Sequence, residues 1–181
     1  MEANYNTNEN RQVKKLLQEL RGKKQIEIDL IDVWGEGFLN HNGMITGFKR
    51  SYNINKHNQL VSNPPDKDRE IPNLIPLSSW NSDFSIIPNK SVKTITLMGA
   101  PITNRTAKEI KRIIHPKGNV LIYGFTEVDS DRKILEKELQ NIGFCEIKNY
   151  KLSNEFAMIT LKPVVVFSSK TNPSNHLHNE L

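Results

Sequence analysis

Two glycines that follow a short apolar segment are the first residues whose spacing suggests a binding site. Residues 25–34 alternate apolar and polar side chains and end in an apolar run, which predicts a strand, and Gly35 and Gly37 follow it directly. Because glycine has no side chain, the backbone amides of such a turn can approach a bound ligand closely. The same two residues also fit a purely structural bend.

Four side chains could take part in chemistry or binding, and a structural role explains three of them as well. Asp32, at the end of the predicted strand, could orient the turn or bind an amino group, or it could cap the turn. Trp34 and Trp80 could stack on a purine, although packing in the core or at its rim explains them as well. His41 could act as a base. No Ser/His/Asp or Cys/His arrangement predicts nucleophilic catalysis, so we name no catalytic residue.

A second bend lies near the middle of the chain. Residues 91–98 have the composition of a buried strand, which ends in Gly99, Ala100 and Pro101. In a parallel sheet, both bends would follow the carboxyl ends of strands and would lie at the same edge. The backbone of this second bend could therefore line the same crevice as the glycine turn, or it could be an ordinary turn from strand to helix.

Apolar periodicity and turn residues predict the elements around these bends. The predicted helices cover 9–21, 105–114 and 129–142, and the other predicted strands cover 44–48, 119–125, 145–152 and 156–167. The strand, helix, strand order in the middle favours a right-handed parallel crossover, whose helix should stop at Pro116–Gly118. The last two strands form an antiparallel hairpin. Residues 49–70 are expected to be irregular, because NPPDKDREIPN is rich in proline and charge.

The composition predicts one soluble domain over residues 9–168, with flexible polar ends at 1–8 and 169–181. With Cys145 as its single cysteine, the chain forms no internal disulfide, and no Cys/His spacing indicates a metal site. No apolar run is long enough to span a bilayer, and the polar start lacks the apolar core of a secretory signal. We therefore expect a cytoplasmic protein that needs no metal and does not enter membranes.

The chain carries a formal charge of +5, which would favour an anionic partner. Lysines and arginines are spread along the chain, but a basic surface lies along the predicted helix and its end, over residues 105–117: Arg105, Lys108, Lys111, Arg112, His115 and Lys117. This face could bind nucleic acid or an acidic protein, or it could simply be solvated, because cations are favourable at a helix carboxyl terminus.

The second half of the chain resembles the class I S-adenosylmethionine-dependent methyltransferases over about residues 83–163. The resemblance is carried by DFSIIPNKSVKTITLMGAP, by TAKEIKRIIHPKGNVLIYGF, by a helix ending LQNIGF, and by EFAMITLKP. Glu109–Gly118 stands where the family has a segment reading E-I-x-R-x-L-x-P-G-G, and Gly143-Phe144 matches a common end of its late helix. The resemblance implies an α/β, Rossmann-like three-layer fold with a mostly parallel, twisted sheet and a C-terminal antiparallel hairpin.

The same resemblance implies S-adenosylmethionine as the cofactor and methyl transfer to an unknown acceptor as the activity. It places the cofactor at Asp32, Trp34, Gly35 and Gly37, with Asp83 near the adenine. It also implies that Gly99, Ala100 and Pro101 line the transfer site.

Two features depart from the family pattern. The family has an acid followed by glycines at every second position, and taking Gly35 and Gly37 as its last two glycines puts Asp32 one residue out of register. The predicted second strand, 44–48, follows so closely that no helix fits between, and it ends in Lys49 rather than in an acid that could bind ribose hydroxyls. A degenerate, cofactor-free module that binds a protein or nucleic acid is therefore an alternative, and the C-terminal domain of a bacterial toxin is a third.

Overall fold

A computed structural model describes residues 15–16, 18–19, 26–35, 50–56, 60–63, 66–71, 73–77, 83–98, 102–123, 130–146 and 164–169. The strands are β1 (Ile28–Val33), β2 (Ser51–Lys56), β3 (Leu60–Asn63), β4 (Asp66–Glu70), β5 (Leu74–Leu77), β6 (Val92–Met98), β7 (Ile114–Tyr123), β8 (Phe144–Glu146) and β9 (Val164–Ser169). The helices are α1 (Asn104–Ile113) and α2 (Ser130–Gln140). The predicted flexible ends lie outside the described residues, apart from Ser169, which closes β9.

Seven of these strands form one mixed sheet in the order β5-β2-β1-β6-β7-β9-β8. Neighbours from β5 to β7 run parallel, whereas β9 is antiparallel to both β7 and β8. The prediction of a mostly parallel Rossmann-like sheet with a C-terminal antiparallel pair is therefore confirmed. Cys145 and Phe167, on the two predicted hairpin strands, lie on β8 and β9.

The central strand β1 is apolar because both of its faces are covered. Ile28, Leu30, Ile31 and Val33 are all completely buried. The acidic residues near its start do not enter this core. Asp29 accepts a hydrogen bond from the Arg50 amide, and other acidic side chains at this edge reach water.

Helix α1 begins at a side-chain N-cap and ends at Ile113. Thr103 is the N-cap, and its hydroxyl accepts a hydrogen bond from the Thr106 amide at 3.1 Å. The helix buries Ala107 and two isoleucines against the sheet. It ends because Ile114 is already extended, with φ −61° and ψ 132°. The predicted stop at Pro116–Gly118 was wrong, since these residues lie within β7.

Helix α2 confirms the predicted helix after residue 129, and its apolar side chains Leu135 and Leu139 are completely buried. Gly143 follows with φ +82°, a conformation that a residue with a side chain rarely adopts. The chain can therefore turn directly from α2 into β8. Near the amino terminus, the described residues of the predicted helix 9–21 are helical, and Leu16 is buried.

The prediction for residues 49–70 was wrong, because β2, β3 and β4 lie there. The strand beside β1 is β2, while the predicted second strand 44–48 lies outside the described residues. The sequence of β2, SYNINK, alternates polar and apolar residues, and asparagine is depleted in strands. In the structure both asparagines of β2 are completely buried.

The crossover from β2 to β5 has an unusual composition. Parallel neighbours need a long connection, which is usually a helix. Here the connection contains β3 and β4, which pair antiparallel as a separate two-stranded sheet. Asn73 precedes β5 with φ +46° and donates a hydrogen bond from its side-chain amide to the Ser51 carbonyl.

The connection from β1 to β2 is longer than the sequence indicated. Sixteen residues, 35–50, separate Trp34 from β2, so the short spacing inferred for a second strand at 44–48 does not apply to the strand that pairs with β1.

Candidate site at the carboxyl ends of β1, β2 and β6

The chain order reverses its direction across the sheet between β1 and β6. From β1 the chain proceeds outward to β2 and β5, and it then returns to the other side of β1 as β6. Loops at the carboxyl ends of such neighbouring strands diverge and leave a crevice, which is where open α/β sheets bind ligands. Asp32 is paired in register with Thr96, and Val33 with Leu97. The carboxyl ends of β1 and β6, which lead into the two predicted bends, therefore lie at one edge of the sheet.

Asp32 lies beneath this edge and is completely buried. Its Oδ1 accepts a hydrogen bond of 2.8 Å from the Thr96 hydroxyl. Its Oδ2 has no hydrogen-bond partner among the described residues. Burial raises the pKa of Asp32 to about 7, against a smaller lowering by the Thr96 hydrogen bond. The carboxyl group can therefore be neutral at physiological pH.

Gly35 packs directly against that carboxyl group. A Cβ atom at Gly35 would collide with Asp32 Oδ2 and would lie 2.8 Å from Asn53 Oδ1. The Gly35 carbonyl oxygen accepts a hydrogen bond of 2.8 Å from Asn55 Nδ2. Glycine is thus required here for packing within the protein.

Trp34 connects β1 to this turn in a conformation that favours glycine. Its φ is +60°, and its amide donates a hydrogen bond of 2.7 Å to the Ile54 carbonyl. The indole is 4 % exposed and meets the ring of Phe84 edge-on, with centroids 5.9 Å apart. The side chain therefore belongs to the apolar core in this conformation.

The segment before β6 is attached to α1 through one arginine. Arg112 donates to the carbonyl oxygens of Phe84 and Ile87, each at 2.8 Å, to Asn89 Oδ1, and to the Glu109 carboxylate. Glu109 in turn accepts a hydrogen bond of 2.7 Å from the Phe84 amide. This network fixes Phe84 against Trp34 and the neighbouring Asp83 at the surface.

Asp83, the candidate adenine contact, is exposed and forms a 3.1 Å ion pair with Arg105. The predicted basic face over 105–117 is also partly neutralised. Lys111 pairs with Glu138 at 2.8 Å and Arg112 with Glu109 at 2.8 Å. Three of its cations thus face carboxylates of the same chain.

Sequence reasoning missed Asn53, Asn55 and Thr96 as site residues. Asn53 and Thr96 lie in register with Asp32, and Asn55 donates to the Gly35 carbonyl. The only sequence signal was asparagine at alternate positions of a six-residue segment. Several predicted site residues cannot be placed, because they lie outside the described residues: Gly37, His41, Trp80, Gly99, Ala100 and Pro101.

Two further findings concern the described part of the chain. Within it, no group of three or more His, Cys, Asp or Glu side chains could hold a metal ion. None of the helices seen there is long and apolar enough to cross a membrane.

No protein-family model matches the sequence, and no curated protein matches it either. Solved structures are similar at low identity. The aminoglycoside resistance methyltransferase NpmB1 is 12% identical, with a TM-score of 0.48, over 87% of this chain and 93% of that one. An rRNA methylase from Streptococcus thermophilus is 10% identical, with a TM-score of 0.46, over 89% and 96%.

A SAM dependent methyltransferase from Aquifex aeolicus is 15% identical, with a TM-score of 0.42, over 86% of this chain and 88% of that one. The order of elements after residue 83 is strand, helix, strand, helix and antiparallel pair, as the sequence resemblance implies. The chain therefore has a Rossmann-like α/β fold, with a mostly parallel sheet and a C-terminal antiparallel pair.

Proposed function

We propose that this chain is a methyltransferase-like domain that binds S-adenosylmethionine at the carboxyl ends of β1 and β6 and transfers its methyl group to an acceptor. The observation that carries the proposal is the reversal of strand order between β1 and β6, with Asp32 and Gly35 at that edge. Such a reversal creates a crevice suited to a nucleotide-like ligand.

The described residues fit the cofactor in two respects. Asp32 has a buried oxygen with no hydrogen-bond partner among the described residues, and Asp83 presents a carboxylate at the surface beside Phe84. In this proposal Asp32 orients the turn, the backbone at Trp34, Gly35 and Gly37 approaches the cofactor, and Asp83 accepts a hydrogen bond from it. Gly99, Ala100 and Pro101 line the transfer site.

The conformation of Trp34 also supports a different register with the family motif. Trp34, and not Val33, has the positive φ that favours glycine. If Trp34 stands at the first glycine, Asp32 lies two residues earlier and takes the position of the acid, while Gly35 and Gly37 fall between the family's glycine positions. This register puts a buried indole where the family has no side chain.

The bound cofactor would supply an electrophilic methyl group on a sulfonium. The protein's contribution would be to hold the acceptor in line with the methyl carbon and to exclude water. No described side chain has to act as a nucleophile for this reaction. A cytoplasmic location is part of the proposal, because both the cofactor and the single free cysteine suit a reducing compartment.

Calorimetry with S-adenosylmethionine and S-adenosylhomocysteine tests the proposal. We expect micromolar binding that Asp83→Asn weakens about tenfold, because a hydrogen bond to a charged group is lost. Glu27→Gln is the matched control, since Glu27 is a similarly exposed carboxylate that pairs with Lys93 at the opposite edge of the sheet. Absence of heat at millimolar ligand, from protein with an intact far-UV spectrum, would refute cofactor binding.

The second candidate is a cofactor-free module that binds a protein or nucleic acid. The packing of Gly35 on Asp32 and the burial of Trp34 favour it, because both features use the turn for internal contacts. Its surface would be the basic face 105–117. There a hydrogen bond from Lys111 and the charges of Lys111, Lys108 and Lys137 of α2 lower the pKa of Glu138.

Fluorescence anisotropy with labelled RNA and DNA tests this second candidate. Lys108→Glu should weaken binding and reduce its salt dependence, whereas Lys93→Gln, at the far edge of the sheet, should not. Equal binding by both variants would remove the basic face from consideration. The third alternative, a toxin domain, gains no support from the described residues and is not carried further.

A further inference from the structure

Three completely buried polar side chains lie side by side across the centre of the sheet. Asp32 on β1 is in register with Asn53 on β2 and with Thr96 on β6. Polar groups in such a position are costly unless they are hydrogen-bonded to one another. The arrangement of their atoms therefore indicates which of them carries a hydrogen.

On the β6 side the hydrogen comes from Thr96, whose hydroxyl donates to Asp32 Oδ1 at 2.8 Å. On the β2 side two oxygens converge. Asp32 Oδ2 and Asn53 Oδ1 both lie against the place where a Gly35 side chain would begin. A carboxylate oxygen and an amide oxygen are both acceptors, so neither can donate to the other unless the carboxyl group is protonated.

We propose that Asp32 carries a proton on Oδ2, that it shares this proton with Asn53 Oδ1, and that the shared proton holds the Gly35 turn in place. An amide oxygen accepts two hydrogen bonds, so the proposal holds whatever else Asn53 binds. It goes beyond cofactor binding and does not depend on it, since every atom involved belongs to the protein.

The surroundings of Asp32 favour the neutral form. In the described part of the chain, the groups that face it are Thr96 from β6, Asn53 from β2 and the Gly35 backbone, and none of these is charged. Among the described residues, no charged group contributes to the pKa of Asp32, which burial raises to about 7. A negative charge here would have a single donor and would face an acceptor.

Loss of the Asp32 proton would change the contact between its carboxyl group and the Gly35 turn. Two hydrogen bonds also attach the turn to β2: Asn55 donates to the Gly35 carbonyl, and the Trp34 amide donates to the Ile54 carbonyl. The turn therefore contacts β2 as well as Asp32. An ionised Asp32 needs a further donor at Oδ2, which packs directly against Gly35. The turn, with Trp34, would therefore move as the pH rises through neutrality.

The near-UV circular dichroism of Trp34 reports this movement. In a Trp80→Phe background Trp34 is the only tryptophan, and its signal should change in a titration with a midpoint near neutrality. Asp32→Asn keeps every histidine but cannot ionise, so its signal should stay constant over the same range. Thr96→Val removes the hydrogen bond that stabilises the ionised form and should raise the midpoint by about one pH unit.

Carbon-13 NMR of the aspartate carboxyl groups is a second readout that does not require the Asp32→Asn variant to fold. The resonance that moves with Thr96→Val should titrate near neutrality. The proposal is wrong if Asp32 is ionised down to about pH 4, as it would be if Asn53 presented its NH2 group to Oδ2. It is also wrong if Asp32→Asn shows the same Trp34 transition as the parent. Neither result would bear on whether the protein binds S-adenosylmethionine.

Discussion

Replacing Asp32 by asparagine should make the protein more stable at high pH and should not do so at low pH. The folded protein binds the Asp32 proton up to about pH 7, whereas the unfolded chain releases it near the ordinary value of 3.8. Between these two values the folded state binds more protons, so its free energy of unfolding falls as the pH rises. Below the lower value both states are protonated and the group contributes nothing.

The size of the effect follows from the width of that window. At about 1.4 kcal/mol per pH unit, a window from 3.8 to about 7 corresponds to about 4 kcal/mol, fully expressed above neutrality. Asparagine imitates the protonated carboxyl group, since its carbonyl can accept from Thr96 and its NH2 can face Asn53. The variant should therefore lack this loss of stability.

Urea unfolding of both proteins at several pH values measures the effect. The quantity of interest is how the difference in free energy of unfolding between variant and parent changes with pH, because any fixed cost of the substitution cancels. We expect this difference to increase by about 4 kcal/mol between about pH 4 and about pH 8. A difference that is constant with pH would refute the assignment of a neutral, buried Asp32.

Three further substitutions test the packing that positions the site. Arg112→Lys should lower the free energy of unfolding in urea by about 2–4 kcal/mol, because the Phe84 and Ile87 carbonyl oxygens lose guanidinium donors. Lys111→Met, which removes a partly exposed ion pair, should lower it by under about 1 kcal/mol, and equal losses would contradict the proposed network. Gly35→Ala should cost about 1–3 kcal/mol and much less in an Asp32→Ala background, and strictly additive costs would show that the two residues do not collide. Gly143→Ala should cost about 1 kcal/mol through its positive φ alone, since nothing lies near its Cβ position, and a neutral result would contradict that conformation.

The sequence predicted the elements whose apolar periodicity is undisturbed. Strands β1 and β6 and helices α1 and α2 were predicted to within a few residues, because most of their buried residues are Ile, Leu, Val and Ala. The parallel order followed from the alternation of strand and helix. The fold class could thus be derived before any coordinates.

Strand β2 could not be predicted in the same way, because its buried positions are partly asparagine. Asn53 and Asn55 can be buried in a strand because each has a polar neighbour: Asn53 lies in register with Asp32 of β1, and Asn55 donates to the Gly35 carbonyl. Those partners are distant in sequence, so periodicity gives no sign of them. The hairpin β3–β4 was missed because its prolines and charges are typical of a loop.

The candidate site shows the same division. Its location at the end of β1 followed from Asp32 and the glycines, whereas the raised pKa of Asp32 and its contact with Gly35 depend on three strands coming into register. The left-handed conformation of Trp34 is a further case, since a bulky residue gives no sequence signal for positive φ.

Photocrosslinking with radiolabelled S-adenosylmethionine tests the central claim most directly, because it reports both binding and position. The account predicts labelling that S-adenosylhomocysteine competes away, in peptides that contain the Gly35 turn, Asp83 or the bend at Gly99–Pro101. Labelling confined to peptides from the opposite edge of the sheet, or no labelling above the competed background, would contradict it.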